Sequence, residues 1–228
     1  MCTCLPGYDL TGVMETRWDG SYDWSVGMEG YRLFRKDQQG RGGGGVTLYV
    51  SDQLECMELC LGMDEEPTES LWVRIKGRAG TGDTIVGVCY GPPDQEDRMD
   101  EALYRQMGAA SCSQALVLMG DFNHPNICWT DNIGGHKQSR RFLEHVHDNF
   151  FLQVTEDPTR RGAMLDLVLT SKEGLVGNVK LKGNLGCSDH ETVEFKILRT
   201  ARRAHSKLLA LDFTRADFGP FRDLLGRI

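Results

Sequence analysis

The sequence predicts an α/β protein in which two mixed β-sheets pack face to face and helices cover the outside. Short apolar segments rich in β-branched residues recur along the chain between turn-forming residues, as is typical of strands. Helical patterns are few, so most of the core must come from sheets stacked on each other. At 228 residues, the chain is long enough for one main domain with a substantial core.

Nine segments have the length and composition of strands. Two of them, 71–76 and 193–197, alternate apolar and polar residues, which predicts one buried face and one wet face. The segment 115–119 is apolar throughout and predicts a central strand that is covered on both faces. The predicted strands span residues 9–14, 31–34, 46–50, 54–60, 71–76, 84–90, 115–119, 164–170 and 192–198.

Two segments, 99–110 and 139–149, predict helices because apolar residues recur four positions apart. The glycine run 42–45 lacks the Lys-Ser/Thr and the helix that follow a phosphate-binding loop, so it predicts a hairpin turn. From residue 199 the strand pattern stops, and residues 199–228 contain seven basic and three acidic residues. We therefore expect a domain over residues 1–198 and a basic linker over 199–228.

The composition limits the classes of function. A net charge of −7 argues against a protein that coats nucleic acid, although local basic clusters leave room for an enzyme that touches a few phosphates. No apolar run is long enough to cross a membrane and no secretory signal is visible, which predicts an intracellular protein, cytoplasmic by default. The eight cysteines lack the spacing of a zinc site.

Polar residues with complementary chemistry stand at the ends of several predicted strands. Carboxylates supply hard oxygen ligands for Mg²⁺, an imidazole can transfer a proton, and an amide can contact a phosphate. This combination predicts a metal-dependent phosphoester hydrolase. The residues concerned are Glu15, Asp121, Asn123, Asp166, Asp189 and His190.

Three motifs in this order resemble the endonuclease/exonuclease/phosphatase family: Glu-Thr at 15–16, Gly-Asp-Phe-Asn at 120–123 and Ser-Asp-His at 188–190. Segments 18–24, 120–125 and 157–166 are similar to the endonuclease domain of non-LTR (LINE-type) retrotransposons of the chicken-repeat clade. The resemblance implies a four-layered α/β/β/α sandwich with its site at the top of the two sheets, and an enzyme that nicks DNA.

The resemblance also implies roles for the motif residues. Glu15, Asp121 and Asp189 would hold Mg²⁺, with Mn²⁺ as an alternative, and Asp121 would orient or deprotonate the attacking water. Asn123 would contact the scissile phosphate. His190 would stabilise or protonate the phosphoryl centre, with Asp189 fixing its tautomer through a hydrogen bond. Whether Asp121 or His190 is the general base stays open.

Further positions follow from the same resemblance. Tyr90 matches a catalytic tyrosine near the phosphate, while Thr159 and Asp166 match positions on the substrate side. The expected partners are the DNA backbone and, within a parent polyprotein, the element's RNA and reverse transcriptase, towards which 199–228 would lead. The functional element would act in the nucleus, and a monomer without membrane contact is expected.

Two departures from the family qualify this expectation. Relatives begin with one more strand that ends in an Asn beside the metal, so the resemblance implies an N-terminally truncated copy that lacks the first strand and has weakened activity. Gly91 stands where the clade usually has Arg, a change that would weaken phosphate binding. The alternatives are a phosphomonoesterase or phospholipase on the same fold, and a non-catalytic remnant of a transposon.

Overall fold

The computed structural model describes residues 7–16, 27–37, 44–62, 68–93, 95–184 and 188–198, and these contain thirteen strands and two helices. The helices are α1 (Asp97–Ser111) and α2 (Lys137–Asp148). The strands are β1 (Leu10–Met14), β2 (Tyr31–Lys36), β3 (Val46–Ser51), β4 (Cys56–Glu58), β5 (Ser70–Ile75), β6 (Thr84–Tyr90), β7 (Leu116–Asp121), β8 (Ile127–Cys128), β9 (Ile133–Gly134), β10 (Leu152–Gln153), β11 (Asp166–Thr170), β12 (Val176–Asn184) and β13 (Glu191–Ile197).

A six-stranded sheet forms the centre of the molecule, in the order β10-β11-β7-β6-β5-β4. Only β6 and β7 run parallel in it, and the other neighbouring pairs are antiparallel. Helix α1 lies between β6 and β7 in the chain and supplies the long crossover that a parallel pair needs. This crossover brings the ends of β6 and β7 to the same edge of the sheet.

Both helices cover one face of the central sheet. Leu103 and Met107 of α1 and Phe142 and Val146 of α2 belong to the same buried cluster as Leu118 of β7. These are the apolar residues whose four-residue spacing predicted the two helices. Both helix predictions are confirmed, with boundaries that differ by a few residues.

Two smaller sheets cover the other face. The three-stranded sheet, in the order β1-β3-β2, packs on β5 and β6, while the β12-β13 pair packs on β7 and β11. Met119 and Ile197 contact both of these clusters, so the two smaller sheets lie next to each other. The described residues thus form three layers: helices, the central sheet and the two smaller sheets.

The predicted fold class, an α/β protein with several sheets and few helices, is confirmed. Neither helix of the described residues lies on the outer face of the smaller sheets, so a fourth layer is not seen within them. The absence of a first strand stays a prediction. So does the division at residue 198, since 199–228 lie outside the described residues, as do the family-like residues 18–24.

The alternation predicted for segment 71–76 is confirmed at five of its six positions, since Leu71, Val73 and Ile75 are buried while Arg74 and Lys76 are exposed. The exception is Trp72, which is buried under α1 and donates its indole N–H to Gln106. Strand β12 was not predicted at all. Its glycines and asparagines are typical of turns, and its pairing with β13 is interrupted by two register shifts.

The glycine run between β2 and β3 connects consecutive antiparallel strands, as its turn prediction requires. Of this run the structure describes Gly44 and Gly45, which both have positive φ angles of 124° and 85°. We find no helix in the described part of the chain with the length and apolar character needed to span a membrane.

Candidate active site

Three strands of the central sheet bring predicted site residues to one edge. Tyr90 of β6 is in register with Asp121 of β7, which in turn is in register with Asp166 of β11. Because side chains alternate along a strand, Asp121 lies on the same face as Met119, and Asp166 on the same face as Val168. That face packs on the smaller sheets, so these side chains lie between the layers.

His190 lies directly against this pair of carboxylates. Its Nδ1 is 2.8 Å from Oδ2 of Asp166, and its Nε2 is 3.9 Å from Oδ2 of Asp121. A neutral imidazole that donates from Nδ1 to Asp166 leaves Nε2 facing Asp121. The aspartate that orients the imidazole is therefore Asp166.

The expected hydrogen bond between Asp189 and His190 is wrong. Oδ1 of Asp189 is 4.0 Å from Nε2 of His190, beyond hydrogen-bond distance. Adjacent residues at a turn direct their side chains apart, and the Asp189 carboxylate turns to two cations instead. Nε of Arg160 donates to its Oδ2 at 3.0 Å, and Nη2 of Arg161 lies 3.1 Å from the same oxygen.

Asn123 holds both carboxylate oxygens of Asp121. Its backbone N–H donates to Oδ1 at 3.0 Å, and its Nδ2 donates to Oδ2 at 3.1 Å and to the Gly91 carbonyl at 2.8 Å. The backbone of Asn123 has a positive φ of 49°, a conformation that asparagine tolerates better than most residues. In this structure Asn123 orients Asp121.

Thr159 is buried beneath the site and holds the backbone of Asp166 in place. Its side chain is fully buried, and its hydroxyl accepts the backbone N–H groups of Leu165 and Asp166 at 3.1 and 3.0 Å. Its carbonyl accepts the N–H of Glu191 at 2.8 Å. Thr159 thus ties the start of β11 to the chain just after His190, and its side chain presents no group to solvent.

Glu15 follows β1 and has a positive φ of 53°. Its negative charge acts on a second carboxylate, that of Glu69, which is buried and accepts the Gly45 N–H at 2.8 Å. Burial first, and the charge of Glu15 to a smaller extent, raise the pKa of Glu69. Since the carbonyl of Glu69 accepts the Tyr90 N–H, Glu15 and Glu69 lie on the Tyr90 side of the site.

Glu69 was not among the residues that the sequence analysis predicted for the site. A side chain on Gly44 would overlap the Glu69 carboxylate, so glycine at this position lets the backbone approach Glu69. The available signal was position: Glu69 stands just before β5, next to a strand that ends in Tyr90.

Asp121 and Asp166 share a buried environment. Burial, followed by the charge of Asp166, raises the pKa of Asp121 to about 6. Ligand atoms of Asp121, Asp166 and His190 all lie within 4.8 Å of one another, as a metal ion requires. Glu15 and Asp189, which were expected as ligands, are not members of this group.

A shallow cleft lined by aromatic and polar residues opens beside Asn123. His124, expected as a loop or surface residue, is in the loop after β7 but packs against Phe142 with ring centroids 4.7 Å apart. Burial lowers the pKa of His124 to about 4, so it is neutral at pH 7. Tyr104 also lines this cleft, and its buried hydroxyl has no hydrogen-bond partner among the described residues.

Comparison with protein families places this geometry in a known context. Residues 4–190 match the Endonuclease/Exonuclease/phosphatase family. The chain belongs to this family. Members of the endonuclease/exonuclease/phosphatase family are phosphoester hydrolases, so the cluster of carboxylates and imidazole lies in a hydrolase fold. No curated protein matches the chain in sequence.

Solved structures share the fold at low sequence identity. The endonuclease domain of TRAS1, a telomere-specific non-LTR retrotransposon, is 18% identical with a TM-score of 0.63, and the match covers 83% of this chain and 85% of that one. The 3′-5′ exonuclease NExo from Neisseria meningitidis is 15% identical with a TM-score of 0.62, covering 83% and 89%. A 3′ phosphatase NExo variant from Neisseria, bound to a product DNA hairpin, is 16% identical with a TM-score of 0.58, covering 83% and 88%.

Endonuclease/exonuclease/phosphatase enzymes typically depend on a divalent metal, and the donors found here fit one. Carboxylate oxygens are the preferred ligands of Mg²⁺ and Mn²⁺, and Asp121 and Asp166 place two of them in the same buried group. A cation there would also offset the repulsion between the two carboxylates.

Proposed function

We propose that this chain is a Mg²⁺-dependent endonuclease that nicks DNA, of the kind carried by non-LTR retrotransposons. The observation that carries the proposal is the cluster of Asp121, Asp166 and His190, with Asp121 oriented by Asn123. It combines oxygen ligands for a cation with a group that can transfer a proton, which phosphodiester hydrolysis requires.

The proton chemistry follows from the contacts of His190. Asp166 accepts a hydrogen bond from Nδ1–H and so favours one tautomer, which leaves Nε2 to stabilise charge or exchange a proton at the phosphoryl group. Asp121, whose pKa of about 6 suits a proton acceptor near neutral pH, lies on the Nε2 side. The two groups can divide the roles of acid and base, and either can take the proton of the attacking water.

Asp121 and Asp166 would hold the divalent cation, with Glu15 and Asp189 as further candidates at the same mouth. The bound metal would polarise the phosphoryl oxygens and lower the pKa of bound water. Asn123 keeps the Asp121 oxygens in place, and Tyr90 stands beside Asp121 at the end of β6. Thr159 supports Asp166 from the buried side.

DNA as substrate rests on the relatives. The TRAS1 domain is described as an endonuclease of a retrotransposon, and an NExo variant was solved with a DNA hairpin. The three family motifs and the cationic side chain of Arg160 next to the site support the same class of substrate. A parent polyprotein with a reverse transcriptase, and action in the nucleus, belong to this proposal.

Plasmid nicking tests the proposed function. Incubation of supercoiled plasmid with the chain and Mg²⁺ should give open circles, and EDTA should prevent it. His190→Ala should abolish nicking, because it removes the imidazole between two carboxylates, while His147→Ala, at an exposed position of α2, should retain it. Absence of nicking by the unsubstituted chain at every Mg²⁺ concentration would reject an active endonuclease.

The same preparation separates the alternatives. Release of inorganic phosphate from a 3′-phosphorylated duplex without plasmid nicking would favour a phosphomonoesterase on this fold, and hydrolysis of sphingomyelin would favour a phospholipase. A chain that folds but neither cleaves nor binds any of these substrates would be a non-catalytic remnant.

A further inference from the structure

Arg160 stands on a tight turn that is fixed at both ends. Its backbone N–H donates to the Ala163 carbonyl at 3.1 Å, and its carbonyl accepts the Ala163 N–H at 2.8 Å. The preceding residue, Thr159, is held by Asp166 and by Glu191. The base of the Arg160 side chain is therefore positioned by the same elements that position Asp166 and His190.

Among its contacts with the described residues, the guanidinium of Arg160 uses only its Nε atom. Its Nε donates to Asp189, whereas no hydrogen bond or ion pair involving the described residues uses its Nη atoms. An arginine can hold one oxyanion with Nε and present its Nη groups to another, because all of its donors lie in one plane. The Arg160 side chain is 33% exposed, so these donors can reach a ligand from solvent.

Several negative charges surround His190, and a nearby cation would offset their repulsion of a phosphate. Asp121, Asp166 and Asp189 are all within 4.0 Å of its ring nitrogens, and a phosphodiester would bring a further negative charge to this mouth. Arg160 lies within electrostatic range of Asp121, since its charge lowers the pKa of that carboxyl. Arg161 contacts the same Asp189 oxygen, but its side chain is 80% exposed and points into solvent.

We propose that Arg160 binds the non-bridging oxygens of the phosphate to be cleaved through its Nη groups, while Asp189 holds its Nε. Asp189 then acts as a positioning residue for Arg160. This inference rests on the proposed function and names a phosphate-binding residue for it.

Inorganic phosphate provides a probe that does not depend on cleavage. The thermal shift that phosphate causes in the presence of Mg²⁺ reports its binding to the folded chain. Arg160→Ala should weaken phosphate binding by about tenfold to a hundredfold, the range for hydrogen bonds to charged groups. Arg160→Lys keeps the charge but loses the planar donors, so its affinity for phosphate should lie between those of the unsubstituted chain and Arg160→Ala.

Arg161→Ala is the matched control, since it removes the other cation that contacts Asp189. It should change phosphate binding by less than about twofold, as expected for an exposed ion pair. In the absence of phosphate, the melting temperatures of all three variants should be close to that of the unsubstituted chain. On plasmid, Arg160→Ala should lower kcat/KM by at least about tenfold, whereas Arg161→Ala should leave it nearly unchanged.

Equal effects of Arg160→Ala and Arg161→Ala on phosphate binding would overturn the inference, as would an unsubstituted chain that shows no phosphate-dependent shift. A chain that binds phosphate through Arg160 but nicks no DNA would instead reject the proposed endonuclease and support the phosphate site. The two failures are therefore distinguishable.

Discussion

At the scale of single residues, the position of His190 depends on which carboxylate holds its ring. Asp166 lies 2.8 Å from Nδ1, whereas Asp189 is 4.0 Å from Nε2 and is engaged with Arg160. A buried carboxylate fixes a tautomer more firmly than an exposed one, because water does not compete for its oxygens. Asp166 is buried and Asp189 is exposed on its side chain.

Replacement of these two carboxylates should separate their roles. Asp166→Asn replaces the charged acceptor for Nδ1–H with a neutral amide, whose NH₂ group can instead donate to the ring and favour the other tautomer. The kcat for nicking should therefore fall by about 100-fold or more, the usual contribution of a positioned acid or base. Asp189→Asn leaves that hydrogen bond intact and should act mainly on KM. Steady-state kinetics on plasmid check this, and an unchanged kcat in Asp166→Asn would contradict the assigned orientation of His190.

At the scale of elements, α2 holds the loop that carries Asn123 against the central sheet. The ring of Phe142 is buried among aromatic neighbours, with centroids 4.9 Å from Phe122 and 4.7 Å from His124. Phe122 and His124 flank Asn123 in sequence. The packing of one helix residue therefore supports the backbone of a site residue.

Phe142, in the middle of α2, and Phe150, just after its C-terminus, form a matched pair for a stability measurement. Phe142 is 1% exposed and Phe150 is 84% exposed. Phe142→Ala should lower the free energy of unfolding by about 3 to 5 kcal/mol, as for other buried aromatic residues. Phe150→Ala should change it by less than about 0.5 kcal/mol. Urea unfolding gives both values, and similar midpoints for the two variants would refute the packing described for α2.

At the scale of the whole molecule, the site lies where the central sheet meets the two smaller sheets. Asp121 and Asp166 are both largely buried, and their like charges raise the free energy of the folded state. The burial of apolar residues between the layers, among them Met119 and Ile197, offsets this unfavourable free energy. A ligand that neutralises the carboxylates should therefore stabilise the whole fold.

Magnesium should raise the melting temperature of the chain. Binding at a concentration 100 times the dissociation constant stabilises a fold by about 2.7 kcal/mol, which corresponds to roughly 5 to 10 °C for a domain of this size. Asp121→Asn removes one ligand and part of the repulsion, so its Mg²⁺-dependent shift should be much smaller. Differential scanning calorimetry measures both shifts, and equal shifts would place the cation elsewhere.

The sequence alone determined much of this site, because it records where strands end. The apolar run before Gly120 predicted a central strand, and its end placed Asp121 and Asn123 at a sheet edge. The three family motifs then linked Asp121 with His190, across 69 positions of the chain. Period-two and four-residue patterns are local, so strands and helices can be predicted from neighbours in the chain.

Only the tertiary structure decided which partners these residues have. It paired His190 with Asp166 rather than Asp189, gave Asp189 to Arg160, and placed Glu69 beside Glu15. It also showed that Trp72 of β5 is buried under α1 and that β12 pairs with β13 despite its glycines. Hydrogen bonds and burial depend on residues that are distant in the chain, and a pattern of neighbouring residues carries no information about those distances.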